Sequence, residues 1–483
     1  MKIINKKLLT TKTLELGREN SDGKQKSRKF GIFDLFFSVN KLEQWLKYGI
    51  ILLIPFIILT PGLRITSPAI RVDEIILLFG LLVYCLLVIK RKKIKISVLD
   101  YIFGALFVST AASILFSYLF IGYDFYFNDL FEFAKIIKYY LIYRIIYDLE
   151  WSRDDASDLL KAFLLSAIVA ITIGVMQYFN SFGINSIMEA YTRPIHIRAI
   201  KVAGRIIGTF GNANSWALFL GLPLFFIFGT LIRRLEQQVS KKSYFILILL
   251  FFVLVSMIVT LGRTSIVANF AGLLAISGGL LFFPYKSRQR VVKEIFIVFL
   301  LFITFSGLAF YTIELIPNAK GKLNVAQRMG AGLQEMGLVS EGTIEGDFKS
   351  WGSRTKKWKN SLYLVSKNPV FGYGPSKSVE AKENVPYATD NEYVLYLYRY
   401  GLVGLVSYLS LFGFFFISAL ANLRKSTKKH SPVFTLNIIA LGISVSYPLY
   451  NILAGSFYDF QLFPLFMIFG SLNYYFLKKH EKQ

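Results

Sequence analysis

Three arginines stand where a strongly apolar chain seldom keeps one. Arg205 opens the run RIIGTFGNAN, which ends at Asn214 and passes straight into an apolar segment. Arg263 lies in LGRTS between two apolar runs, and Arg354 follows Ser353 at the head of SRTKKWKNSLYLVSK. A guanidinium keeps its proton at physiological pH and meets phosphate oxygens two at a time. Arginines gathered at one membrane level therefore make a cradle for an anion, and a pyrophosphate suits it. The plainer alternative for Arg205 and Arg263 is an interfacial anchor to lipid headgroups. For Arg354 it is a solvated arginine on an ordinary amphipathic helix. Asp390 of the run DNE can accept a proton from an attacking hydroxyl. Asp and Asn are also the best helix N-caps, and the two roles are compatible. The amides of Asn212, Asn214 and Asn391 join the same level as substrate-binding candidates.

A second set of charges, Glu132, Lys135, Lys138 and Arg144, interrupts an otherwise apolar stretch. Charges inside a span normally face the bundle or a water-filled cavity. Glu132 and Lys135, three residues apart, can pair with each other; alternatively Lys135 and Lys138 bind the substrate anion. The three His lack clustered Cys or carboxylates, which argues against a metal site, and no cofactor motif is apparent. With one cysteine, Cys85, no intrachain disulfide is possible.

These residues must be positioned by membrane helices. The chain of 483 residues is 54% hydrophobic and only 18% charged, with mean hydropathy +0.50, too little charge for a soluble protein of this length. Its apolar residues fall in runs of about 18 or more, the length of a bilayer-spanning helix. The net charge of +25 sits in short loops between those runs, so it reflects the positive-inside bias and not a nucleic-acid partner. About twelve spans are expected, near Trp45–Thr60, Asp73–Ile89, Val98–Ile121, Leu130–Tyr147, Leu159–Phe179, Asn214–Leu231, Tyr244–Leu261, Thr264–Phe283, Glu294–Thr312, Asn391–Leu420, Val433–Leu453 and Phe460–Leu477. The basic loops after the second, sixth, eighth and tenth spans place both termini in the cytoplasm; only the acidic stretch from Asp148 to Asp158 runs against this. The outer loops then carry Arg193, His196, Arg198, Lys201 and Arg205, the tight turn at Gly262-Arg263, and a long loop over residues 313–390. Loops of that length are usually functional. Within it, Ser353 suits an N-cap, and Arg354, Trp358 and Leu362 share a helix face that can lie on the bundle. Gly401 and Gly404 read as packing glycines.

Taken together, RIIGTFGNAN, LGRTS, SRTKKWKNSLYLVSKNPVFGYGP and DNEYVLYLYRYGLVGLVSYL resemble the O-antigen ligase and Wzy-type polysaccharide polymerase superfamily, over residues 205–420. Together with hydropathy and charge, which alone define the parts outside 205–420, the resemblance divides the chain into a basic tail (1–44), five helices and an outer loop (45–204), the ligase/polymerase-like core (205–420, with loop 313–390) and two last helices with a tail (421–483). It implies an all-α polytopic protein of the bacterial cytoplasmic membrane, active on the extracytoplasmic side. The implied reaction is a metal-independent, inverting glycosyl transfer from an undecaprenyl-pyrophosphate-linked oligosaccharide. Membrane lipid, a chain-length regulator and a flippase are the candidate partners. The resemblance maps the pyrophosphate clamps to Arg263 and Arg354. Ligases of this group carry His-Asn where this chain has Asp390-Asn391, which favours a polymerase with Asp390 as the acceptor base. The rival class, a lipid-linked oligosaccharide transporter, predicts internal repeats, and none is convincing.

Overall fold

The computed structural model describes residues 38–60, 71–91, 95–124, 129–189, 205–235, 241–283, 287–315, 348–375, 391–425, 431–457 and 459–480. Four expectations fall outside them: the basic tail with Lys24, Lys26, Arg28 and Lys29, the outer-loop residues Arg193 to Lys201, much of loop 313–390, and Asp390 itself.

Among the described residues there is no strand, and a helix appears at each of the twelve expected positions. They are α1 (Val39–Leu59), α2 (Val72–Arg91), α3 (Val98–Phe116), α4 (Leu130–Asp148), α5 (Arg153–Phe179), the short α6 (Ile184–Glu189), α7 (Ala213–Phe219) and α8 (Gly221–Arg234). There follow α9 (Lys241–Thr260), α10 (Arg263–Phe282), α11 (Arg288–Leu315), the loop helix α12 (Phe348–Lys367), α13 (Glu392–Lys425), α14 (Pro432–Tyr450) and α15 (Leu462–His480). Nine described segments are long and apolar enough to cross a membrane, so the chain is a multi-pass membrane protein. α4 stands apart because of its charges.

Local chemistry sets the helix ends. Ser97 with Asp100 and Ser152 with Asp155 form capping boxes that start α3 and α5. Ser431 caps α14, with Pro432 in the first turn. The centre of the bundle is α14, which packs against α5, α8, α10, α13 and α15. α2 and α11 lie at the edge and expose Ile75, Leu78, Phe79, Phe296, Leu300 and Ile303, a surface suited to lipid.

Ion pairs between helix ends knit one face of the bundle. Lys47 meets Asp155 at 2.9 Å, Arg144 meets Asp148 at 2.6 Å and Asp100 at 3.2 Å, and Arg91 pairs with Glu43. Arg91 also donates to the Asp148 carbonyl, and Lys479 to that of Trp151 at 3.0 Å. The acidic stretch that ran against the charge rule is thus matched by cations on its own face.

Candidate functional site

The opposite face holds the sequence motifs, and the tight turn is its best-defined part. α9 ends at Thr260, Leu261 takes a left-handed φ of 55°, and Arg263 is the first residue of α10. Few non-glycine residues adopt that φ, so the turn needs outside support. Arg205 supplies it: Nε donates to the Thr260 carbonyl at 2.8 Å and Nη2 to Asn214 Oδ1 at 2.8 Å. Ser265 Oγ donates to the Asn214 carbonyl at 2.8 Å, and Asn269 Nδ2 to that of Ala217 at 2.9 Å. A Cβ on Gly262 would stand 2.9 Å from that of Ala217, which explains the glycine.

The run RIIGTFGNAN and the LGRTS turn therefore form one unit. Its first strand of chain is braced by Gln177, whose Oε1 accepts from the amides of Ile207 and Gly208 and whose Nε2 donates to the Gly208 carbonyl. Asn212 Oδ1 accepts from the amides of Asn214 and Ser215 and so caps α7. Arg205, Asn212 and Asn214 thus engage protein partners and hold the turn in shape. Arg263 is part-buried at the amino end of α10, where the orphan amides and the helix dipole add to its positive potential.

A second unit starts at α13. Asn391 caps it, its Oδ1 accepting from the Val394 amide at 3.0 Å. Sequence reasoning passed over its neighbour Glu392, which is buried and accepts the Tyr408 hydroxyl at 2.6 Å and the amides of Ser456 and Phe457 at 3.1 and 3.0 Å. Asn451 closes the network by donating to Tyr408 Oη at 2.7 Å. An acid at the head of an apolar span is the signal that points to such a network. α14 links the two units: it packs against α10 and α13, and the carbonyl of Asn451, just past its end, accepts from the Glu392 amide at 2.9 Å.

The charges of α4 are neutralised within the protein. Lys135 Nζ donates to Glu132 Oε1 at 2.8 Å, and Glu132 also meets Tyr400 Oη at 3.0 Å and Arg399 at 3.6 Å. Lys138 pairs with Asp73 at 2.9 Å, and Asp73 accepts from Arg71 at 2.7 Å. Glu132 and Lys135 do pair, as their spacing allows, and Arg399 is a buried cation that the sequence reading missed.

α13 is broken at Gly401, with φ 65° and ψ −167°, so this glycine does more than allow packing. The break frees carbonyls that the turn after α12 takes up. The Tyr373 amide donates to the Tyr398 carbonyl at 2.9 Å and the Gly374 amide to that of Arg399 at 2.8 Å; in return Leu402 donates to Pro369 at 2.8 Å. The loop helix lies on α13 through Leu364 and Val365, which meet Leu395 and Tyr398. Ser361 is fully buried whereas Leu362 is 45% exposed, so the docked face is rotated from the one expected through Leu362. Position 354 falls on the backbone of α12, two turns before Ser361.

With this geometry in view, residues 246–409 match the family model described as O-Antigen ligase. The match spans the LGRTS turn, the loop helix, and the capped and broken start of α13, and it bears out the resemblance to the O-antigen ligase and Wzy-type superfamily. No curated protein matches the chain. Among the described residues no group of three or more His, Cys, Asp or Glu could hold a metal ion.

Proposed function

We infer that the protein is a polymerase of lipid-linked oligosaccharide repeat units. All twelve apolar helices then cross the cytoplasmic membrane, with the ion-paired face inside and the Arg263 face outside. The donor is a glycan on undecaprenyl pyrophosphate. A sugar hydroxyl of a second lipid-linked unit attacks its anomeric carbon, the bond to the pyrophosphate oxygen breaks, and the lipid pyrophosphate leaves with the bonding electrons. Asp390 takes the hydroxyl proton. Arg263 and Arg354 bind the departing pyrophosphate, because fixed positive charge counts most where negative charge develops.

The observation that carries this reading is the position of Arg263. It stands at the amino end of α10, inside the matched region, in a turn held by Arg205 and Asn214. An arginine held in that way is prepared for an anion. A ligase moving finished glycan to a lipid, protein or wall acceptor is the second reading, and the description of the matched family favours it; Asp390-Asn391 in place of His-Asn favours the polymerase.

The test is purified protein in nanodiscs, supplied with the lipid-linked repeat unit of its host and no divalent metal. A glycan ladder is expected, weakened about a hundred- to a thousandfold in Arg263→Ala and Arg354→Ala. A single transfer to another acceptor would establish the ligase. Intact units carried across proteoliposomes without any ladder would overturn the enzyme reading and establish a transporter.

A further inference from the structure

We propose that the outward face of α12 and the turn after it form a docking surface for anionic lipid headgroups of the leaflet they border. α12 turns Ser361, Leu364 and Val365 inward, the last two against α13. Its opposite side carries Lys356, Lys359, Tyr363 and Lys367, spaced three and four residues apart and so in one stripe, and all four are exposed. Lys367 lies over the Tyr363 ring, with Nζ 4.6 Å from the centroid. From Phe348 to Lys367 the sequence also holds Lys349, Arg354 and Lys357, and no acidic residue. A helix of that composition selects an anion.

The neighbouring turn places this charge at the membrane surface. α3 belongs to a bilayer-spanning segment and widens at its end into a π turn, Ser117–Ile121, closed by Gly122 at φ 73°. Phe371, in the turn after α12, stacks on Phe116 at 5.2 Å between centroids, and Phe116 meets Phe120 at 5.3 Å. Phe116 precedes Ile121, the end of the span, by about 7 Å of helix. The turn therefore reaches the depth at which hydrocarbon gives way to headgroups. Leu115, Leu119 and Phe120 are exposed on the span, and Val370 and Phe371 are exposed beside them. The lipid that covers the end of α3 thus also meets the turn.

The apolar half decides the occupant. An acidic glycan would satisfy the lysines and leave Val370 and Phe371 in water, whereas a lipid satisfies both with its phosphate and its acyl chains. Exposed aromatic and aliphatic side chains beside a basic stripe are the composition of a helix lying in the interface plane. Tyr363 suits that level too, where tyrosine is enriched. The same turn donates from Tyr373 and Gly374 to carbonyls of α13. Headgroups held on α12 therefore help to keep the outer loop docked there.

This surface depends on the membrane position of α3 and not on glycan transfer, so either can fail alone. The test uses the full chain with Cys85→Ser and Val370→Cys, labelled with one bimane and reconstituted in nanodiscs. Lipids brominated on their acyl chains should quench the label, and aqueous iodide should quench it weakly. Phosphatidylglycerol should reach it in preference to phosphatidylcholine by about fivefold for each lysine engaged. Replacing Lys356, Lys359 and Lys367 by Gln should abolish that preference and leave quenching by phosphatidylcholine as it was. A label at Leu115→Cys, on the span, should be quenched by both lipids with or without the lysines, which confirms that the variants are inserted. Strong iodide quenching at position 370 without lipid quenching would overturn the surface, as would equal quenching by the two lipids while the lysines are present. Relief of lipid quenching by soluble polygalacturonate would assign the stripe to an acidic glycan and overturn it as well.

Discussion

Gly401→Ala tests whether the outer loop is held by the break in α13. The residue sits at φ 65° and ψ −167°, a region that side chains other than glycine's do not tolerate, at a cost of about 1–3 kcal/mol. An added Cβ would also stand 1.9 Å from the Val370 carbonyl oxygen and 2.3 Å from its carbon, so the turn cannot stay docked. Three backbone hydrogen bonds go with it, from Leu402 to Pro369, Tyr373 to Tyr398 and Gly374 to Arg399, each contributing about 1 kcal/mol. Those bonds are lost on undocking in either chain, so the shift comes from the docked state's strain alone: about 1–3 kcal/mol moves the docked-to-undocked ratio by about five- to a hundredfold, and the overlap with Val370 moves it further. α13 itself can relax into an unbroken helix, so the bundle should survive while α12 comes free. Hydrogen exchange should then quicken at Tyr373 and Gly374, and trypsin should cut at Lys356, Lys357 and Lys359. Gly413→Ala on the same helix is the control: nothing stands within 4 Å of a Cβ there, and no such change is expected. Slow exchange at Tyr373 and Gly374 in Gly401→Ala, with wild-type resistance to trypsin, would refute the reasoning.

Two further substitutions separate scaffold from site. Arg205→Ala removes the bonds to the Thr260 carbonyl and to Asn214, so thermal unfolding in detergent should show a loss of about 2–4 kcal/mol. A variant that loses activity at full stability would instead make Arg205 a direct ligand. Glu132→Gln leaves Lys135 and Arg399 buried without their carboxylate and should destabilise by about 3–5 kcal/mol. Replacing Lys135 by Met in the same chain should recover part of that loss in the melting curve; no recovery would mean that the pair is not what Glu132 contributes.

The helices were legible because bilayer thickness fixes their length and hydrocarbon fixes their composition, and both are local properties of the chain. The tight turn was legible for a related reason, since two apolar runs can be joined so closely only by a turn. What the sequence hid was long-range pairing. Arg205 faces Thr260, Lys138 faces Asp73 and Glu392 faces Ser456, and no local pattern connects those positions. Arg205 in particular has the chemistry of an anion ligand and the contacts of a brace. Gly401 shows the same limit: a glycine that permits close packing and one that breaks a helix read alike until the partner backbone, Val370, is in place.

The irregular backbone itself points to where the work is done. Backbone at membrane depth must be satisfied by protein or line a cavity, so a broken helix there has to be built around. The left-handed Leu261, the break at Gly401 and the π turn at Ser117 lie in parts of the chain that meet through Arg205, α14 and the Gly374 turn. At Leu261 and Gly401 the freed carbonyls find named donors. Ion pairs occur on both faces, Lys47–Asp155 and Arg144–Asp148 on one, Lys138–Asp73 and Lys135–Glu132 on the other. The concentration of strained and re-bonded backbone on one of them argues that this face binds and positions something large and polar, as transfer between two glycans requires.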